Sequence, residues 1–138
     1  MVTVIESIST CIDMKIQSID HIVIPVSDIA SSLHFYTEIL EMEAHINQQR
    51  YAVKFGNQKI NLHVGKAQFL PAAKQPTFGS ADLCLLAEGE IENIKAEVES
   101  KGIKIEIGIV ERQGAQGAIR SIYFRDPDGN LIEVSTLI

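Results

Sequence analysis

The order of elements predicted along this chain repeats, and that repeat constrains the fold more than any single residue. Residues 19–26 (IDHIVIPV) have the alternation and β-branched content of a strand. Asp28 is placed to cap a helix over 29–40, with Ile29, Leu33, Tyr36 and Leu40 along one face. Residues 42–48, 50–56 and 59–64 then read as strands, with Gly56-Asn57 as the turn before the third. Pro71, Pro76 and Gly79 mark 65–79 as a linker. The order then begins again. A strand at 81–87 is followed by a helix over 90–101 that stops at Gly102, and by a strand at 103–110. A longer loop at 111–118 carries Gly114 and Gly117, a strand spans 119–125, DPDG at 126–129 makes a tight turn, and 130–135 is the last strand. Both halves are strand, helix, then three strands. An isolated unit of about 50 residues rarely stands alone. Two βαβββ modules are therefore expected to share a sheet or to exchange with a second chain.

Composition narrows the setting. The 138 residues are enough for one domain with a real core, and 46% hydrophobic with 22% charged residues is a globular balance. A net charge of -6 argues against phosphate backbones and anionic membranes as partners. No apolar run reaches the length of a membrane span. Glu6 and Asp13 interrupt the N-terminal stretch, so it does not read as a signal peptide, and residues 1–15 are taken as an arm or extension. Cys11 and Cys84 have neither metal spacing nor the density of a disulfide scaffold, which points to free thiols and a cytoplasmic protein. The expected architecture is α+β: one domain over 16–136, with modules at about 19–64 and 80–135.

Strand alternation then sorts side chains onto two faces. Ile22, Ile24 and Val26 suit the helix side, which sends His21 to the other. Ile60, Leu62 and Val64 likewise leave Lys59, Asn61 and His63 opposite; Leu83 and Leu85 leave Asp82 and Cys84; Ile132 and Val134 leave Leu131, Glu133 and Ser135. Overlaying the halves pairs His21 with Asp82 in the opening strands and His63 with Glu133 in the closing strands, the longer loop at 111–118 absorbing the difference in spacing. Two imidazoles and up to two carboxylates suit a divalent first-row ion: Zn, Ni, Co, Mn or Fe. Val53, Phe55, Ile122 and Phe124 suit the helix side, so Lys54, Ser121, Tyr123 and Arg125 are expected to line the open side.

Three segments carry a resemblance. DHIVIPVSDIASSLHFYTEIL, KINLHV and SIYFRDPDGNLIEVS are similar to the vicinal-oxygen-chelate superfamily of glyoxalases, bleomycin-resistance proteins and extradiol dioxygenases. Within it the chain most resembles small single-domain glyoxalase-domain-containing proteins, bacterial virulence-associated ones among them. The resemblance spans about residues 16–136. It implies paired modules forming a cup-shaped mixed sheet around a metal ion, a homodimer, and a small substrate that chelates the ion through neighbouring oxygens. By position it makes His21, His63 and Glu133 metal ligands. Asp82 stands where the family usually has His, and its shorter side chain reaches an ion less readily. The resemblance implies Glu133 as the candidate catalytic base of a lyase-like reaction, with Asp82 as alternate.

The leading expectation is a metal-dependent enzyme of glyoxalase-like lyase or isomerase type. Two alternatives stand beside it: an Fe(II) extradiol-type dioxygenase, and a small-molecule binding or resistance protein without turnover. Plainer readings apply to other residues. His34 and His45 read as surface residues, Cys84 as a small buried thiol, Asp82 as a solvated strand-end carboxylate, DPDG as a turn, and 111–118 as a hairpin loop or a mobile lid.

Overall fold

The computed structural model describes residues 13–138. Cys11 and most of the expected N-terminal arm lie outside the described residues. The elements in order are β1 (His21–Val26), α1 (Ile29–His34), β2 (Glu43–Asn47), β3 (Arg50–Phe55), β4 (Gln58–Val64), β5 (Asp82–Leu86), α2 (Ile91–Ser100), β6 (Ile107–Gly114), β7 (Gly117–Arg125) and β8 (Leu131–Leu137). The repeat of strand, helix and three strands is present. Asp28 caps α1, its carboxylate accepting the Ser31 N–H at 3.2 Å. The helix expected to run to residue 40 widens after His34 into a π-helical turn, Phe35–Ile39. The Thr37 hydroxyl donates to the Leu33 carbonyl at 2.6 Å, at the i−4 position of an α-helical bond, and the Leu40 N–H reaches back to Phe35.

Two further boundaries differ from expectation. The strand placed at 103–110 begins at Ile107 and runs to Gly114, and the loop placed at 111–118 is a hairpin whose turn is Ala115-Gln116. Gly114 closes against Gly117, where an added Cβ would lie 3.1 Å from the Gly117 carbonyl, and Gly117 has a φ of +132°. The glycines thus tighten a turn between paired strands, and the segment is no lid.

The strands form two sheets of four, in the orders β1-β4-β3-β2 and β5-β8-β7-β6. In each unit the opening strand runs parallel to the closing strand and the other pairs are antiparallel. Within one chain the units do not join edge to edge. They meet through their helix-bearing faces in one core that holds Val26, Tyr36, Leu62, Val98, Phe124 and Ile132. The Phe35 and Phe124 rings, one from each unit, lie 6.0 Å apart. Each fully buried Leu, Ile or Phe of this core stabilises the fold by roughly 1.5–3 kcal/mol. Val64, assigned to the helix side, is instead exposed at the end of β4.

The DPDG turn does more than reverse the chain. Asp126 is buried and accepts from the Tyr36 hydroxyl at 2.7 Å, from the Asn130 N–H at 2.8 Å and from the Asn130 side chain at 2.7 Å. Asp128 accepts the N–H and the hydroxyl of Ser27, just past β1. Two carboxylates of the second unit therefore clamp the start of the helix region of the first.

This packing leaves one face of each sheet open. Among the described residues it also leaves β1 and β5 each with an unpaired edge. Among the described residues no helix is long and apolar enough to cross a membrane.

Candidate functional site

The open face of the first sheet presents His21, Lys59, Asn61 and His63, as alternation predicts. Asp20 accepts a hydrogen bond from His21 Nδ1 at 2.8 Å, and this bond holds the Asp20 carboxyl below its usual range. The ring is thereby oriented with Nε2 free. Strand register decides what else His21 can share. His21 lies level with Lys59, and His63 lies level with Pro25. His63 is thus four residues further along the sheet, about 13 Å at the rise of a strand. An ion holds imidazole nitrogens at about 2.1 Å, so two rings standing off one face that far apart do not share it.

The same register corrects the overlay of the halves. His21 pairs with Lys59 and Asp82 pairs with Leu131. His21 and Asp82 are therefore equivalent, as expected. Two residues further along the closing strands stand Asn61 and Glu133. The structural equivalent of Glu133 is Asn61, and that of His63 is Ser135. Counting from the loop lengths misaligned the closing strands by two residues, which preserves the face and changes the level.

On the second sheet, Glu133 sits level with Cys84 on β5 and Tyr123 on β7. Its Oε2 accepts the Ser121 hydroxyl at 2.6 Å, and Ser121 is 2.7 Å from the Ser135 hydroxyl. Both serines are fully buried beneath the carboxylate. Cys84 Sγ lies 3.3 Å from Ser135 Oγ. The thiol is exposed, not buried as expected. Partial burial pushes its pKa up, with Glu133 and Asp82 adding to the rise against the opposing Ser135 bond. Tyr123 and Arg112 stand beside Glu133 in a cavity of about 430 Å³, the phenol accepting from Arg112 Nε at 3.1 Å.

The other expected lining residues separate. Ser121 lies under Glu133. Arg125 is engaged by Glu106 at 2.6 Å. Lys54 borders a different cleft, with Glu43, Leu85 and Leu86. His34 and His45 are exposed, as expected, and His45 is 3.3 Å from Glu43. His63 meets Phe69 edge to face at 5.2 Å, and burial, then Arg50, hold its pKa below the ordinary imidazole value. Sequence reasoning missed Arg50, Phe69 and Arg112. Phe69 falls in the linker, where no periodicity marks a facing direction.

Among the described residues no three His, Cys, Asp or Glu side chains gather closely enough to hold one ion. One chain thus places His21 and Asn61 on the open face of the first sheet, and Asp82 and Glu133 on that of the second.

The comparisons with known proteins agree with this architecture. The family model of the Glyoxalase/Bleomycin resistance protein/Dioxygenase superfamily matches residues 18–134. Virulence protein STM3117 of Salmonella typhimurium is 50% identical over 128 residues, covering 92% of this chain and 89% of that protein. Its crystal structure superposes with a TM-score of 0.87 over 91% of this chain and all of the other. The glyoxalase domain-containing protein RDO1 of Mycosarcoma maydis is 42% identical over 123 residues, covering 89% of this chain and 70% of that protein. The lactoylglutathione lyase of Agrobacterium tumefaciens, at 21% identity and a TM-score of 0.70 over 89% and 96% of the two chains, shares the fold. With two βαβββ units, the RDPDGNLIEV ending and this match over nearly the whole described length, the chain belongs to the Glyoxalase/Bleomycin resistance protein/Dioxygenase superfamily.

Proposed function

We propose that the protein is a divalent-metal-dependent enzyme of glyoxalase-like lyase or isomerase type, its site completed by a second copy of the chain. The observation that carries this reading is the division of the donors. His21 has Nδ1 fixed by Asp20 and Glu133 has Oε2 fixed by Ser121, and among the described residues they stand on the open faces of different sheets. The free edges of β1 and β5 offer the join. Exposed Val23 on the first face, and Leu86, Ile107 and Leu137 on the second, are apolar surface that a partner would cover.

In this arrangement His21 and Asn61 of one copy face Asp82 and Glu133 of the other. One imidazole, two carboxylates and an amide fit a hard or borderline first-row ion. Such an ion, when bound, polarises a substrate oxygen and stabilises negative charge that develops on it. Glu133 accepts a proton from one substrate carbon and returns it to the next, while Ser121 holds the carboxylate in place. Asp82 is the alternate carrier. His63, too far along the sheet to join His21, faces the substrate.

Complementation tests the reading. His21→Ala and Glu133→Gln are each expected to lose bound zinc in a metal analysis. Unfolded together and refolded as a mixture, they should recover about a quarter of wild-type zinc. Half the dimers then pair unlike chains, and each such dimer rebuilds one of its two sites. No recovery, with both variants folded and dimeric, would refute a site shared between copies. Wild-type protein that takes up no zinc, nickel, cobalt, manganese or iron would favour small-molecule binding without turnover.

A further inference from the structure

We propose that the open face of the first sheet carries an oxyanion-binding subsite built on Arg50 and His63, about 13 Å along the strands from His21, in a cavity whose other end is Lys59, level with His21; it takes the phosphate, phosphonate or carboxylate group of a small molecule. The cavity there measures about 320 Å³, the size of a small-metabolite site. Its polar lining includes Arg50, Lys59, His45, His63, Asn47 and Asn61, and no Asp or Glu is among its lining residues. Every one of these side chains can donate a hydrogen bond. The protein as a whole has eighteen acidic residues and a net charge of -6. A cavity with two permanent cations and no carboxylate stands out against that background.

Neither cation is engaged in a close ion pair among the described residues, although Lys59 lies near enough to Asp20 to help lower its pKa. Lys59 sits directly opposite Lys54 in the β3–β4 ladder, and like charges placed so are unfavourable. Glu43, opposite Lys54 on the other side, has its carboxylate 3.3 Å from His45. The Arg50 guanidinium is held 4.0 Å from the centre of the Phe69 ring. That contact orients a planar fork of donors without consuming any of them. The same Phe69 ring meets His63 edge to face at 5.2 Å. Arginine, aromatic ring and imidazole thus form a preorganised wall, and the linker that supplies Phe69 is tied back by Gln68, which accepts the Val64 N–H at 2.7 Å and donates to the Gln49 carbonyl at 3.3 Å.

The subsite shares its face with His21, so under the function proposed above it would hold the anionic end of the substrate. Its existence does not depend on a metal. The test is a titration of the isotope-labelled full-length chain with inorganic phosphate and, separately, acetate, followed by amide chemical shifts. Ionic strength is held constant with chloride and EDTA is present. Saturable shifts confined to residues 45–63 and the Phe69 region are expected for at least one anion. Arg50→Gln should weaken binding tenfold or more, and Lys59→Gln several-fold, with the spectrum itself reporting that each variant is folded. Glu133→Gln should bind the anion as wild type does. The proposal is overturned if neither anion gives saturable shifts there, or if folded Arg50→Gln and Lys59→Gln both bind like wild type. Anion binding in a protein that takes up no metal would leave this subsite standing and remove the metal enzyme. Metal uptake without anion binding would do the reverse.

Discussion

The Tyr36–Asp126 bond joins the two units, and its removal gives a sharp test of how they hold together. In Tyr36→Phe the fully buried ring keeps its packing and loses only the hydroxyl, which donates to Asp126 Oδ2 at 2.7 Å. Burial, reinforced by Asp126, pushes the phenol pKa up, so the hydroxyl keeps its proton and remains a donor throughout the accessible pH range. A hydrogen bond to a charged group contributes about 1.5–3 kcal/mol. Asp126 retains the Asn130 backbone and side-chain donors and the Asp128 N–H. The loss is therefore expected in the lower half of that range, about 2 kcal/mol. With a urea slope of about 1.5 kcal/mol/M for a domain of this size, the midpoint should fall by about 1.3 M at unchanged slope. Asp126→Ala should cost more, because it strands three further donors. Adding Tyr36→Phe to Asp126→Ala should then cost little, a coupling of about 2 kcal/mol in the double-mutant cycle. If Tyr36→Phe lies within about 0.5 kcal/mol of wild type, or if the two losses simply add, the bond does not hold the units together.

Three further outcomes follow from the same geometry. Ser121→Ala removes the donor that fixes Glu133, and zinc affinity measured by calorimetric titration should fall about tenfold in the folded variant. Cys84 should react with a thiol-specific disulfide reagent at neutral pH more slowly than a cysteine in a short peptide, because partial desolvation of its sulfur and the nearby carboxylates raise its pKa; a Cys11→Ser background isolates the signal. The Asp28 carboxyl is held below its usual range by the side-chain and backbone hydrogen bonds of Ser31. Its contribution is therefore complete above the ordinary Asp pKa and disappears as pH falls through the lowered one. The melting temperature of Asp28→Ala should lie below wild type at neutral pH and converge with it in strong acid.

Local pattern and tertiary placement made separable contributions to this protein. The alternation in IDHIVIPV, KINLHV and NLIEVS, the spacing of Ile29, Leu33 and Tyr36, and the stops at Gly102 and Pro71 are properties of neighbouring residues. They suffice for the order of the two βαβββ units and for the face taken by most side chains in β1, β4, β5 and β8, because alternation depends only on whether a position is odd or even. Register depends on which residue of a distant strand lies alongside, and a shift of two keeps the face while changing the level. Alternation therefore puts Glu133 on the open face, whereas strand register makes Asn61 its equivalent where counting along the loops makes it His63. Whether 111–118 is a hairpin loop or a lid stayed open for a related reason, since glycines that tighten a turn and glycines that loosen a loop look alike until the strands on either side are seen to pair. The helix-side packing of the two sheets, the clamp that makes Asp126 and Asp128 more than a turn, and the return of Phe69 onto Arg50 and His63 all join residues far apart in the chain. Only the folded structure decides such contacts, because they are set by competition among many apolar surfaces for one core and by no residue's immediate neighbours.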